Sequence, residues 1–218
     1  MTKHEVHAGF FIDDKEDMKH LSFLQEQCSS VISVFVPPFQ QKMASTQGFF
    51  TGKSLTECAY PSSAVRTKIK KLVVAGEIDL IFVYSAAPFA WLPSDICGIP
   101  VITDFVDVDS AKWQAYAKQA HWPLSWLYSR EAKYLRRFEA SVAALSQYSL
   151  LVSDDEATLF RNRLPEKIRN EGSVVGIKNG VDCEAFKPSN VIAGEREADT
   201  TRLIFTGAMD YQPNVEAV

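Results

Sequence analysis

The sequence predicts an α/β fold: a parallel β-sheet flanked by helices on both faces, wound in the doubly wound manner. Three observations carry that expectation. The runs Ile78–Tyr84 and Ile99–Thr103 are short, β-branched and apolar at nearly every position, as strands buried on both faces are. Between such runs lie segments with apolar residues at steps of three and four, the period of a helix with one buried face. Strands and helices alternate along the chain, with no repeat or low-complexity tract.

Val6–Ile12 opens the series as a strand, stopped by Asp13 and Asp14. Met18, Leu21, Leu24 and Cys28 follow at helical spacing. Val31–Val36 is the next strand, closed by Pro37 and Pro38, which cannot donate to a ladder. Residues 39–61 show no clear period and read as a loop or a short helix. Ser62 opens a helix with the apolar face Val65, Ile69, Leu72 and Val73, and Gly76 ends it. Beyond the strands at 78–84 and 99–103, Asp104–Ser110 reads as an acidic loop.

From Leu124, the residues Leu127, Tyr128, Tyr134, Leu135, Phe138, Val142 and Leu145 trace one face of a long helix. Leu150–Val152 is a short strand, and Ser153–Glu156 reads as a capping box in which serine and glutamate satisfy opposite N–H groups. Val174–Lys178 is another strand, with a turn at Asn179–Gly180. Residues 187–201 are polar and aperiodic, so they read as an interdomain linker. Arg202–Thr206 starts a fresh strand, and Pro213 stands where the first turn of a helix allows it. The expected layout is one domain over 1–186, the linker at 187–201, and the first βα unit of a second domain at 202–218.

Composition narrows the function classes. With 46% hydrophobic residues in 218, the chain has the apolar mass for a real core. A net charge of -4 argues against a nucleic-acid partner, which would normally face a basic field. Four scattered cysteines without a Cys-x-x-Cys pair fit a reducing, cytoplasmic setting better than a disulfide framework or a zinc site. No apolar run approaches the ~18 residues of a membrane span, and the N-terminus has no signal-peptide apolar core. No Gly-x-Gly-x-x-Gly and no Gly-x-x-x-x-Gly-Lys-Ser/Thr occurs, which disfavours a dinucleotide-dependent dehydrogenase and a P-loop enzyme.

Four stretches carry candidate chemistry. Asp104, Asp107 and Asp109 follow a buried strand directly, and in open α/β sheets ligands bind beyond the carboxyl ends of strands. Carboxylates this close need hydrogen bonds, a basic partner or a cation. Asp107-Val108-Asp109 reads as a metal-binding Asp-x-Asp, as the nucleophile loop of a haloacid-dehalogenase-type phosphatase, as a holder of sugar hydroxyls, or as a solvated, capped loop. Trp113, Tyr116, Trp122, Trp126 and Tyr128 lie in one short stretch with His121. Aromatic rings stack on sugars but also fill cores; core packing is the expectation for Trp126 and Tyr128, while Trp113 and Tyr116 are balanced between the two. Glu131 and Glu139 fall on the apolar face of the long helix, where an ion pair with Arg130, Arg136 or Arg137 is the ordinary explanation. Gly207, Ala208 and Met209, at a strand end before a helix start, are positioned to offer backbone N–H groups to a diphosphate. The basic run Arg66, Lys68, Lys70 and Lys71 reads as a solvated helix face, with contact to anionic lipid as its functional alternative.

Taken together, the segments 104–117, 122–139, 152–161, 179–188 and 206–218 resemble glycosyltransferase family 4, and are especially similar to sugar transferases of PEP-CTERM-associated exopolysaccharide clusters. The resemblance covers almost the whole chain in matching order. It implies a GT-B fold of two Rossmann-like domains facing a cleft, the first holding the acceptor and the second a nucleotide-sugar. The implied activity is retaining transfer of a sugar from a nucleotide-sugar to a saccharide or lipid-linked saccharide, with no cofactor and no bound metal. It moves Asp107 and Asp109 from metal binding to the acceptor-side cleft wall, with Asp104, Trp113 and Tyr116, and gives Gly207, Ala208 and Met209 the donor diphosphate. Peripheral contact with the inner membrane is implied as well. Family members also carry an extra first strand with a Gly-rich loop and a Glu-x7-Glu motif, neither of which is matched. The corresponding expectation is a fragment, inactive and marginally stable alone, with a gap or a substituted strand in its sheet. The alternatives are a non-catalytic saccharide-binding or subunit-interaction module and, further off, an Asp-dependent phosphatase.

Overall fold

In the computed structural model, which describes residues 4–60, 63–96 and 98–187, the chain is α/β with parallel sheets. It divides into two compact units, Met1–Asn179 and Gly180–Val218. In the second, only residues 180–187 are described. They form a turn in which Asp182 Oδ1 accepts the N–H groups of Glu184 and Ala185 at 2.9 and 3.0 Å.

The first unit holds two sheets. Strands β1 (His7–Ile12) and β2 (Ser30–Phe35) pair in parallel, from His7 opposite Ser30 to Ile12 opposite Phe35. Strands β3 (Ile81–Tyr84), β4 (Val101–Val106), β5 (Tyr148–Leu151) and β6 (Ser173–Gly176) form a parallel sheet in that order. Among the described residues β1 pairs only with β2 and β3 only with β4, so each presents one open edge. Phe82 and Tyr84 of β3 are correspondingly exposed.

The helices come next. A 3₁₀ turn (Glu16–His20) leads into α1 (Leu21–Gln27). After β2 come α2 (Pro38–Thr51), α3 (Leu55–Cys58) and α4 (Ser63–Ala75). Helices α5 (Asp109–Gln119) and α6 (Leu124–Leu145) connect β4 to β5, and α7 (Asp154–Arg163) and α8 (Glu166–Glu171) connect β5 to β6. The larger core lies around the four-stranded sheet, with Phe105, Val142, Leu151 and Phe160 at its centre. A smaller one joins Ile32, Val65 and Trp91, with Phe11 and Tyr60 stacked at 3.8 Å beside it.

Several expected elements are corrected. Residues 39–61, expected as a loop or a short helix, carry all but the first residue of the 14-residue helix α2, and the short α3 as well. The period escapes notice because α2 is inverted: Ala44 and Gly48 are buried while Phe39, Met43 and Phe50 point outward, Phe50 with 90% of its surface exposed. Gly48 is required there, since a Cβ would lie 3.0 Å from the Ser54 carbonyl oxygen. The expected turn at Asn179–Gly180 is not formed; the turn falls at 183–186. Ser62, Cys97, residues 188–201 and the strand expected at 202–206 lie outside the described residues.

The long helix α6 runs from Leu124 to Leu145 as its spacing predicts. Its buried Glu131 makes no ion pair with an arginine. Its carboxylate accepts the N–H groups of Leu55 (2.7 Å) and Thr56 (2.9 Å) and the Thr56 hydroxyl (2.8 Å). With Ser54 Oγ accepting the Glu57 N–H at 2.9 Å, the first three N–H groups of α3 are all satisfied. Arg130 adds a second tie, donating to the carbonyls of Gly48 and Lys53. Glu131→Ala leaves three buried donors without an acceptor, and each such orphan costs about 1–3 kcal/mol. The substitution is therefore expected to lower stability by roughly 3 kcal/mol or more, read as a fall in the urea midpoint. Glu131→Gln, which keeps one accepting oxygen, should lose less; an unchanged midpoint in the alanine variant would contradict this role.

Candidate functional site at the end of strand β4

The acidic segment lies at the carboxyl end of β4, an inner strand of its sheet. It is less of a loop than the sequence suggests. Asp104 and Val106 belong to β4, Asp109 opens α5, and only Asp107 and Val108 connect them. The strand continues through Asp104 because that side chain folds back: its Oδ1 accepts the Val106 N–H at 3.0 Å. The ladder with β5 shifts register between Asp104 and Val106, and Val106 sits at φ 66°. A β-branched residue in the left-handed region is strained, and the strain is held by the Val152 N–H donating to the Val106 carbonyl at 2.7 Å.

Two glutamates and a lysine then fix the start of α5. Glu156, on α7, accepts the Val108 N–H at 2.9 Å. The expected capping box is thus only half formed: Ser153 takes the Glu156 N–H at 3.1 Å, while the glutamate serves the neighbouring helix. Glu139, on α6, accepts both the N–H (2.9 Å) and the hydroxyl (2.5 Å) of Ser110. It is likewise not the arginine ion pair expected for that position. Lys112 reaches back one turn to Asp107 (2.7 Å) and Asp109 (3.3 Å). Burial alone pulls the lysine down, but the bond to Asp107 and the charge of Asp109 outweigh it and hold Lys112 well above the ordinary range.

The Lys112 ammonium therefore occupies the place between Asp107 and Asp109 that a cation bound by an Asp-x-Asp would take. Among the described residues, no group of three or more His, Cys, Asp or Glu is arranged to hold a metal ion. Asp104, Asp107 and Asp109 are all half-buried at the strand end.

The aromatic stretch divides. Trp113 and Tyr116 on α5 meet Tyr128 on α6, with ring centroids 5.2 Å (Trp113 to Tyr128) and 6.4 Å (Tyr116 to Tyr128) apart. This half-buried cluster joins the two helices beside the acidic segment. Trp126, expected in the core, is instead 57% exposed and lies parallel to Phe49 of α2 at 6.3 Å; Trp122 is 82% exposed. Trp122 precedes α6 and Trp126 lies on its first turn, before the buried face of the helix begins at Glu131. His121 is also exposed. Lys112 was recognisable in the sequence as an i,i+3 partner of Asp109, whereas the bonds of Glu156 to Val108 and of Arg163 to Ser110 have no local signature. The donor-side candidates Gly207, Ala208 and Met209 lie outside the described residues.

Comparison with known proteins found no match, whether with family models, curated proteins or solved structures. The fold itself places the chain among α/β proteins of Rossmann-like type. Among the described residues no helix is long and apolar enough to cross a membrane.

Burial pushes the Glu139 carboxyl up to about 7, against the opposing effect of its two bonds from Ser110. The folded state thus holds a proton that the unfolded chain has released, and stability follows. This contribution is full below the ordinary carboxylate value of 4.5 and is lost as pH rises through about 7. Glu139→Gln keeps an acceptor for Ser110 and cannot ionise. Thermal midpoints across this window should fall with pH in the parent and fall less in the variant; identical profiles would refute the assignment.

Proposed function

We propose that the chain is the acceptor-side domain of a retaining, GT-B-type glycosyltransferase similar to family 4. In this reading it takes part in moving a sugar from a nucleotide-sugar to a saccharide or lipid-linked saccharide. The observation that carries this is the placement of Asp104, Asp107 and Asp109 at the carboxyl end of an inner parallel strand, beside the Trp113–Tyr116–Tyr128 cluster. Half-buried carboxylates suit sugar hydroxyls, and aromatic faces suit the apolar side of a pyranose ring. The strand order is a second support. A doubly wound sheet pairs sequential strands in parallel on either side of its switch point, and the parallel pair β1-β2 and the sequential parallel sheet β3-β4-β5-β6 are compatible with two such sides.

The chemistry asked of this side is binding and orientation. Asp104 keeps one oxygen for its own backbone, leaving the other to accept from a hydroxyl. Lys112 bridges Asp107 and Asp109, at 2.7 and 3.3 Å, and so fixes their spacing. Stabilisation of the departing diphosphate belongs to the donor side, where Gly207, Ala208 and Met209 are the candidates.

Incubation of the protein, joined to a complete donor domain, with uridine-, guanosine- and adenosine-diphosphate sugars, together with free and lipid-linked saccharides, tests the reading. Labelled sugar should appear in the acceptor with its anomeric configuration kept, and transfer should survive EDTA. Loss with EDTA restored by Mn²⁺ would return Asp107 and Asp109 to metal binding. Phosphate release from a generic phosphoester with Mg²⁺, without transfer, would replace the reading with the phosphatase.

Contact with a membrane is assigned to α2 rather than to the basic face of α4. Phe39, Met43 and Phe50 form its outward stripe, and Trp122, just before α6, and Trp126, on its first turn, are exposed as well. No carboxylate occurs in residues 27–56 or 110–130, although the chain as a whole is acidic. Aromatic rings with scattered lysines suit a lipid headgroup layer. The protein should float with vesicles of phosphatidylglycerol and phosphatidylcholine, and the triple variant F39S/M43S/F50S should not. Equal flotation of Lys68→Gln/Lys70→Gln/Lys71→Gln and the parent is expected; loss in that variant alone would move the contact to α4.

A further inference from the structure

A second concentration of charge lies away from the acidic strand end, and its sign is opposite. Helices α5 and α6 and the end of α7 enclose a groove of about 670 Å³. Five cations border it: Lys118 of α5, Lys133, Arg136 and Arg137 of α6, and Arg163 of α7. No carboxylate is among its lining residues, and apolar side chains such as Leu164 and Pro165 complete the wall. In a chain of net charge -4, five cations around one groove with no acid are not a sample of the average surface.

The spacing explains how they converge. Lys133, Arg136 and Arg137 stand at i, i+3 and i+4 on α6, one face of a helix. Lys118 comes from the facing helix, and Arg163 from the last turn of α7. Among the described residues, none of the five forms an ion pair with a carboxylate within 4 Å.

Part of the cluster is already fixed. Arg163 donates through Nη1 to Gln114 Oε1 at 2.9 Å and through Nη2 to Ser110 Oγ at 3.2 Å. Its Nε is buried without a partner. Arg136 is anchored through Nε and Nη2, at 3.0 and 2.8 Å, to the carbonyl of Arg163. Burial lowers the Arg163 guanidinium below its ordinary value, and the neighbouring Arg136 charge lowers it further. Two guanidiniums are thus held side by side in a groove large enough for a small ligand, and the opposing charge that acts on Arg163 is that of the buried Glu139, which is already bound to Ser110.

We propose that this groove binds a phosphoryl or diphosphoryl group, carried either on a soluble ester or on a lipid headgroup. Phosphate oxygens take two N–H donors from one planar guanidinium, and arginines already positioned lose little freedom on binding. Lys118, Lys133 and Arg137 supply the more mobile charges around them. The site does not depend on the sugar-transfer reading, since its readout is anion binding and not turnover.

Titration of the protein with inorganic phosphate and with pyrophosphate, at ionic strength held constant with sodium chloride, is the test. Pyrophosphate should bind more tightly than phosphate and raise the thermal midpoint. Lys133→Gln/Arg137→Gln leaves the anchored Arg136 and Arg163 in place and should weaken pyrophosphate binding about ten-fold or more, as loss of charge-assisted bonds does. Lys70→Gln/Lys71→Gln on α4 should leave it unchanged. Vesicles containing phosphatidic acid, tested in the F39S/M43S/F50S background so that α2 contributes nothing, separate the two carriers. Capture by those vesicles without pyrophosphate binding would identify the lipid headgroup, and pyrophosphate binding alone the soluble ester. Failure of both, or equal weakening in the α4 variant, would overturn the proposal.

Discussion

Helix starts buried inside a protein need acceptors for their first N–H groups, and in this chain one helix supplies them for two others. Glu131 and Glu139 lie on the buried face of α6, eight positions apart and therefore nearly in line. Glu131 closes the start of α3, and Glu139 closes the start of α5. Both carboxylates are 3% exposed or less, so each is bound to its partner helix by the desolvation it would suffer without it. The placement of α5, and with it the acidic end of β4, depends on that bond. The Trp113–Tyr116–Tyr128 contact then follows on the same pair of helices.

These bonds show where sequence reading succeeds and where it stops. The limits of α6 were legible because seven apolar residues repeat at helical spacing over 22 positions. The carboxylates on its apolar face were legible as anomalies, but not their partners. Leu55 is 76 positions from Glu131, and Ser110 is 29 from Glu139, so nothing local marks the pairing. Arginines one to three positions away offered a nearer explanation and were not used. Glu156 makes the same point on a small scale. Its spacing from Ser153 satisfies a local capping rule, yet its carboxylate goes to Val108, because tertiary structure offered a buried N–H there.

Helix α2 is the complementary case. Its composition carried no core-facing period because the core side is made of Ala44 and Gly48 and the large residues face outward. Small residues let α2 approach the 53–55 segment closely, which the Gly48 contacts require. A scan for apolar periodicity seeks large residues inside, so it misses a helix seated by small ones. The outward Phe39, Met43 and Phe50 were visible as residues but not as a stripe, since no helix had been recognised to align them. At the strand end, Asp104, Asp107 and Asp109 were placed by position alone. Their being half-buried, bonded and paired with Lys112 required the fold.

The distribution of charge completes the account. Summed over the chain, acids and bases nearly cancel, and the net value says little about either surface. The fold separates them. Glu131, Glu139 and Glu156 are drawn inward or between elements to serve backbone N–H groups, which removes the first two from the outer face of α6 and the third from that of α7. The arginines and lysines that alternate with them in sequence are then left without local counter-charges. Arg136 and Arg137 stand three and two positions before Glu139, and in an isolated helix such neighbours would screen one another. Here the glutamate is committed to Ser110, so the basic groove is the electrostatic consequence of the buried caps.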